Sequence, residues 1–304
     1  MAASLLCIYL VVLHFRCPTA DIEGVFYPTS LDQNMTSPND PHVTVYSHIN
    51  GNKSDLQTRL TISELCKGWP VYRDASEWKN FRSLFCDDAF VWTTWSSRQT
   101  IDGFIEKSKE GKSNGDFIMH RECGTMVELN PETSRAVGKM KATITQRFRV
   151  GGNESMGIEP IVFDVDCDCR FHFFCLRHHS DHHSGEPDWK VQYVKLIYEK
   201  DKLIPVDGKT VPNFTKEALD KYPEGYKYLG AAQSMLGHEV DICLPTIQTP
   251  EPGAANPLWS DLYSKIEQWL DGKDIDLSTS SHPGDASEKE PVTDHGGRQV
   301  EMTL

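Results

Sequence analysis

The chain has 304 residues, 38% of them hydrophobic and 10% aromatic, which is enough for a packed core in one large or two small domains and excludes wholesale disorder. Its formal net charge of −13 excludes a nucleic-acid partner, which would need a basic stripe. No phosphate-binding loop, Gly-rich dinucleotide fingerprint or Gly-x-Ser-x-Gly elbow occurs, so nucleotide and elbow-type hydrolase chemistry drop out as well.

In chain order, Leu5 to Phe15 is an apolar run too short to span a bilayer and of the length of a signal-peptide core. Residues 1–20 are therefore expected to form a signal peptide or anchor, with Ala20 as the cleavage residue. Against this, no Lys or Arg precedes the run, and Pro18 stands where a small residue is wanted. The expected location is the secretory pathway or an endomembrane if the segment is a signal, and the cytoplasm otherwise. Four glycosylation sequons fit the first alternative, at Asn34, Asn52, Asn153 and Asn213. Residues 21–55 are rich in Pro, Asn, Ser and Thr without sustained periodicity and read as a flexible arm.

Regular structure is expected from Thr61, where Thr61-Ile-Ser-Glu64 fits a capping box and Ile62, Leu65 and Trp69 follow at helical spacing. Pro70 removes a backbone donor and should bend this helix. A second short helix near Ser76 carries Trp78, Phe81, Leu84 and Phe85 on one face, and Phe90 to Trp95 alternates like a strand. Thr100 caps a third helix with Ile101, Phe104 and Ile105. From Phe117 the period changes to two. Phe117–Leu129 and Arg135–Val150 form a hairpin around Asn130-Pro-Glu-Thr-Ser, followed by strands over Val162–Leu176 and Trp189–Lys200. A basic row on the second of these strands (Arg135, Lys139, Lys141, Arg147, Arg149) and an acidic row on the third (Asp164, Asp166, Asp168) favour pairing of the two. Helices followed by an antiparallel meander give an α+β class.

Beyond the meander, Thr215–Gly237 is expected to hold a helix with Tyr222, Tyr226, Tyr228 and Leu229. Pro257–Leu270 is amphipathic through Leu258, Leu262, Ile266 and Trp269 or Leu270. Residues 206–272 thus form an extension that packs on the strands or on a second subunit, which leaves a homo-oligomer open. Residues 273–304 read as a disordered tail. The thiols Cys66, Cys86, Cys123, Cys167, Cys169, Cys175 and Cys243 form no disulfide framework and are expected to be free core residues. His178-His-Ser-Asp-His-His183 is rich enough in imidazole to hold a transition metal, but it reads as a solvated turn, so no metal site is assigned.

The stretch Tyr72-Arg-Asp-Ala-Ser-Glu-Trp78-Lys-Asn-Phe-Arg82 resembles the first helices of scytalone dehydratase and other SnoaL-like proteins. The resemblance continues through Phe117-Ile-Met-His120, Cys123-Gly-Thr-Met, Arg135-Ala-Val-Gly138 and Gln146-Arg-Phe148. It is nearest to the fungal SnoaL-like proteins of secondary metabolism, in the nuclear transport factor 2-like superfamily. It implies a cone-shaped, curved antiparallel sheet closed by N-terminal helices over residues 56–205, a barrel enclosing a pocket. It implies further that Asp74 orients His120, which acts as general acid/base, with Tyr72, Arg73, Trp92, Thr145, Cys169 and Phe171 around the substrate. The family's second catalytic His corresponds to Thr145 or its neighbour Gln146. Two carbonyl-activating Tyr positions correspond to Arg73 and Trp92, so scytalone itself is not the expected substrate. The implied activity is that of a cofactor-free dehydratase, cyclase or isomerase on a small hydrophobic polyketide or terpenoid intermediate. A pericyclase of the Diels-Alderase type and a non-catalytic small-molecule binding module are the alternatives.

Overall fold

The computed structural model describes residues 51–152, 154–156, 159–178, 188–247 and 256–278. Alternating apolar and polar residues produce the sheet: β1 (Phe85–Thr93), β2 (Ser97–Thr100), β3 (Phe117–Asn130), β4 (Arg135–Val150), β5 (Ile161–His178) and β6 (Asp188–Pro205). They lie in the order β2-β1-β6-β5-β4-β3, with every pair antiparallel except β1 and β6. Register shifts at Asp168/Cys169 and Phe174/Cys175 let β5 bend, so the sheet curves. The α+β class and the curved sheet are as expected, but the barrel is not closed. β2, only four residues long, and β3 remain edge strands.

Alternation sends neighbouring residues of each strand to opposite faces. On β5, Phe163, Val165, Cys167, Cys169, Phe171 and Phe173 are all buried on the concave face. The N-terminal helices pack there: α1 (Lys53–Gly68), α2 (Trp78–Ser83) and α3 (Ile101–Ser113). Trp69 is the point of contact, 5.4 Å from the Phe171 ring, 5.3 Å from Phe81 and 5.3 Å from Phe104. Thr100 caps α3 as predicted, accepting from the Gly103 amide at 3.2 Å.

The start of α1 corrects the sequence reading. The cap is Asn52, which accepts from the Asp55 amide at 2.8 Å. Thr61 lies inside the helix and donates to the Gln57 carbonyl at 3.1 Å. The capping-box pattern was therefore an internal helical pair, and residues 53–55 belong to α1 rather than to the arm. Pro70 does not end the helix. The chain widens into a π turn over Trp69–Arg73, in which a missing donor is tolerated at the start.

The opposite face of the sheet is covered by α6 (Pro257–Leu270), with the bounds expected from its amphipathic pattern. Trp269 stands 5.9 Å from Phe174 and 5.7 Å from Tyr193, and its indole N–H donates to the Ala136 and Cys175 carbonyls. Residues 273–278 continue along this face instead of starting a free tail. Leu277 is buried and its carbonyl accepts from the buried Lys195 ammonium, whose pKa burial pushes down to about 8. The expected helix in 215–237 is two short ones, α4 (Lys216–Leu219) and α5 (Lys227–Met235), split at Pro223 and Gly225. Gly225 is required where it stands, because a Cβ there would sit 2.3 Å from the Tyr198 carbonyl oxygen.

The charged rows meet as predicted at one point. Arg147 lies opposite Asp164 and binds it through Nε at 2.7 Å and Nη2 at 2.9 Å. Elsewhere the basic residues turn to other partners, Lys139 to Glu128 on β3 and Arg135 to Asp274. All seven described thiols are free, and Cys66, Cys86, Cys167, Cys169 and Cys175 are buried. The 179–187 loop, Asn34, Asn153 and the whole N-terminal segment through residue 50 lie outside the described residues, while Asn52 and Asn213 are exposed.

Candidate active site

β3 is an edge strand, so every second N–H on its outer side lacks a strand partner. At His120 that N–H is taken by a carboxylate. Asp74 Oδ2 accepts from the His120 amide at 2.6 Å, and Asp74 Oδ1 lies 2.8 Å from His120 Nδ1. The π turn makes this possible, since Asp74 caps its C-terminal end and projects toward the strand. Burial would raise the Asp74 carboxyl, but the hydrogen bonds from His120 and the charge of Arg73 hold it below the ordinary value. An ionised carboxylate only accepts, so the ring carries its proton on Nδ1 and keeps the lone pair on Nε2. Burial lowers the His120 pKa, the bond to Asp74 opposes that, and the Arg73 and Lys112 charges add to the lowering. The imidazole is thus neutral at neutral pH, in the state a general base requires.

His120 opens into a narrow inner cavity of about 30 Å³, which holds a water or one small ligand group. Its walls are mostly apolar, with Trp69, Phe104, Ile118, Ile144, Phe171 and Leu196 among them. Its polar groups are few and fixed. Tyr198 accepts from the Thr94 amide at 3.3 Å, which leaves the hydroxyl proton to donate elsewhere. Gln233 donates to Gln146 Oε1 at 2.9 Å. Four of the lining residues (Arg73, Trp95, Ile118 and Gln146) also line a wider outer pocket of about 500 Å³, so the two spaces adjoin.

The structure brings Asp74, His120, Arg73 and Phe171 together at or beside the inner cavity. It places the other four elsewhere. Thr145 faces the charged side of β4 and donates to Asp166, while its neighbour Gln146 lines the cavity. Trp92 faces away on β1, 6.1 Å from Tyr193, and the adjacent Thr93 and Thr94 line the cavity instead. Tyr72 packs near Gly68, and Cys169 donates to the Ala142 carbonyl at 3.4 Å without reaching the lining. Tyr198, Leu229 and Gln233 were missed. The apolar pattern around Leu229 marked a helix there but gave no sign that it roofs the site.

The family described as "SnoaL-like domain" matches residues 54–171. Pea pathogenicity protein 2 of Fusarium vanettenii is 41% identical over 229 residues, covering 75% of this chain and 92% of that protein. A PEP2-like protein of the same organism is 42% identical over 230 residues, with the same coverage of each chain. Among solved structures, one provisionally assigned as a scytalone dehydratase, from Novosphingobium aromaticivorans, aligns at 13% identity. It covers 52% of this chain and 92% of its own, with a TM-score of 0.38.

Proposed function

This chain belongs to the SnoaL-like proteins, in the group shared with Pea pathogenicity protein 2, and from that premise we propose that it is a cofactor-independent biosynthetic enzyme, a dehydratase or cyclase acting on a hydrophobic polyketide or terpenoid intermediate. The observation that carries this reading is the Asp74–His120 pair at the inner cavity: a carboxylate accepting both N–H groups of one histidine, whose other ring nitrogen holds the lone pair.

In this reading the substrate's carbonyl accepts from the Tyr198 hydroxyl. His120 Nε2 removes a proton from the carbon beside that carbonyl, and the electron pair moves into an enolate. The imidazolium, held by Asp74, then returns the proton to a β-hydroxyl as the C–O bond breaks and water leaves. In a cyclase the enolate carbon instead attacks a second carbonyl and the proton goes to the new alkoxide. General acid–base transfer of this kind contributes roughly 10²–10⁴-fold. The apolar walls keep bulk water from quenching the enolate.

The test is metabolite profiling of the source organism after deletion of the gene, with complementation by wild type or His120→Ala. Accumulation of an intermediate that only wild type clears supports the reading. Clearance by both versions sinks proton transfer at His120, and an unchanged metabolite profile sinks the enzyme reading as a whole.

A further inference from the structure

Arg73 is only 3% exposed, yet its Nε and Nη1 make no hydrogen bond. Leaving the N–H groups of a buried guanidinium without an acceptor is costly, so such a group is retained for a reason. The nearest carboxylate balances its charge without giving it a hydrogen bond. Asp74 Oδ1 lies 3.6 Å from Arg73 Nη1, and both Asp74 oxygens are already engaged by His120. Phe104 stacks at 5.6 Å from the guanidinium carbon, which positions the cation without supplying an acceptor. Arg73 lines both the inner cavity and the outer pocket, so it stands where the two adjoin.

The outer pocket has the charge that matches. Its lining carries Arg73, Lys107 and Lys112 as cations against Glu110 and Asp116 as acids. Burial raises the Asp116 carboxyl, and the charge of His238 on the same wall opposes that rise. The Lys112 ammonium donates to the Asp74 carbonyl and so is fixed beside Arg73. Three cations against two acids leave the lining one positive charge in excess, a local departure from a chain of net charge −13. Trp95, Ile118 and Leu236 supply apolar surface next to these charges.

We propose that the ligand of this site is a hydrophobic acid, whose carboxylate completes the unsatisfied guanidinium of Arg73 while its apolar body fills the outer pocket. This rests on the reading of the pocket as a substrate site and names the substrate class within it. The carboxylate is the handle that holds the molecule, and the carbonyl that reacts lies further in, beside Tyr198 and His120.

The test is binding, independent of turnover. Purified full-length protein is titrated in a calorimeter with 2-naphthoate, methyl 2-naphthoate and 2-naphthamide, using wild type, Arg73→Gln, Arg73→Lys and His120→Ala. Wild type should prefer the acid over the ester and amide by ~10-fold or more, a typical margin for one charge-assisted hydrogen-bonded contact. Arg73→Gln should abolish the preference, Arg73→Lys should keep part of it, and His120→Ala should leave it in place. Equal affinity for acid and ester in wild type, or no detectable binding of any of the three, overturns the proposal without reference to a variant that may misfold. So does an acid preference that survives intact in folded Arg73→Gln. An acid preference that depends on Arg73, in a protein whose His120→Ala form still clears its intermediate, would retain the anion site and remove the proton-transfer reading.

Discussion

The two faces of β4 and β5 are built from the same strands and differ in what they do with polar groups. On the outer side the long-range polar contacts are closed: Arg147 on Asp164, Thr143 on Asp168 at 2.6 Å, Trp269 on two carbonyls, Lys195 on Leu277. On the concave side Arg73 keeps two unpartnered donors, Gln233 Oε1 has no hydrogen bond, and His120 presents a lone pair to a cavity. Satisfied polar groups rigidify a structure; unsatisfied buried ones are costs that persist where a ligand offsets them. Thr145 and Gln146 show the contrast between adjacent residues, one held in the ion-pair row and the other lining the site.

The largest expected effect lies on the concave side. His120→Ala should cut turnover of the accumulating intermediate by roughly 10²–10⁴-fold, while the circular dichroism spectrum stays that of the wild type. Trp69→Ala acts on stability instead, because it removes the ring on which Phe81, Phe104 and Phe171 converge. A loss of about 3–5 kcal/mol in urea unfolding is expected. On the other face Trp269→Phe keeps an aromatic ring of smaller size but deprives two buried carbonyls of their donor, for a loss of about 1–3 kcal/mol by the same measurement. Arg147→Ala breaks a bidentate pair whose arginine is 44% exposed and should cost about 1 kcal/mol, with activity unchanged. If Arg147→Ala proved as damaging to activity as His120→Ala, the division between the faces would be wrong.

pH sharpens the same contrast. The folded-state pKa of His120 lies below its unfolded value, so the unfolded chain binds the proton first as pH falls through about 6.5. Stability is fully present above that pH and is lost on acidification toward the folded value. Asp74, likewise depressed, adds a further loss below about 4. Urea midpoints from pH 8 to 5 should decline for wild type and decline less for His120→Ala. The acid limb of kcat/KM should fall below pH 6.5, since the base form of His120 persists there.

Much of the sheet was legible because long strands repeat their alternation many times. β3 to β6 and α6 were placed to within a few residues, apart from the far end of β6, by period alone. The start of α1 was hidden by its composition. Asn52 reads equally as loop, sequon or helix cap, and the true cap carries no apolar staple to reveal it. The Asp74–His120 pair was visible only through family resemblance, since 46 residues separate the two and no local pattern joins them. Parity explains Trp92 and Thr145. Side chains alternate, so an assignment that slips by one residue names the neighbour on the opposite face. Gln233 comes from an extension 87 residues beyond Gln146, and only the folded chain brings them together.

The central claim is that His120 takes a proton from the substrate carbon beside the carbonyl and delivers it to oxygen. The most direct test incubates purified protein with the accumulated intermediate deuterated at the carbon beside the carbonyl and follows the product by mass spectrometry. The proposal predicts loss of deuterium from that carbon with a primary isotope effect, at a rate lost in His120→Ala and largely retained in Arg147→Ala. Full conversion with all the deuterium retained, undiminished in His120→Ala, would contradict it and point to a cyclisation templated by the pocket walls alone.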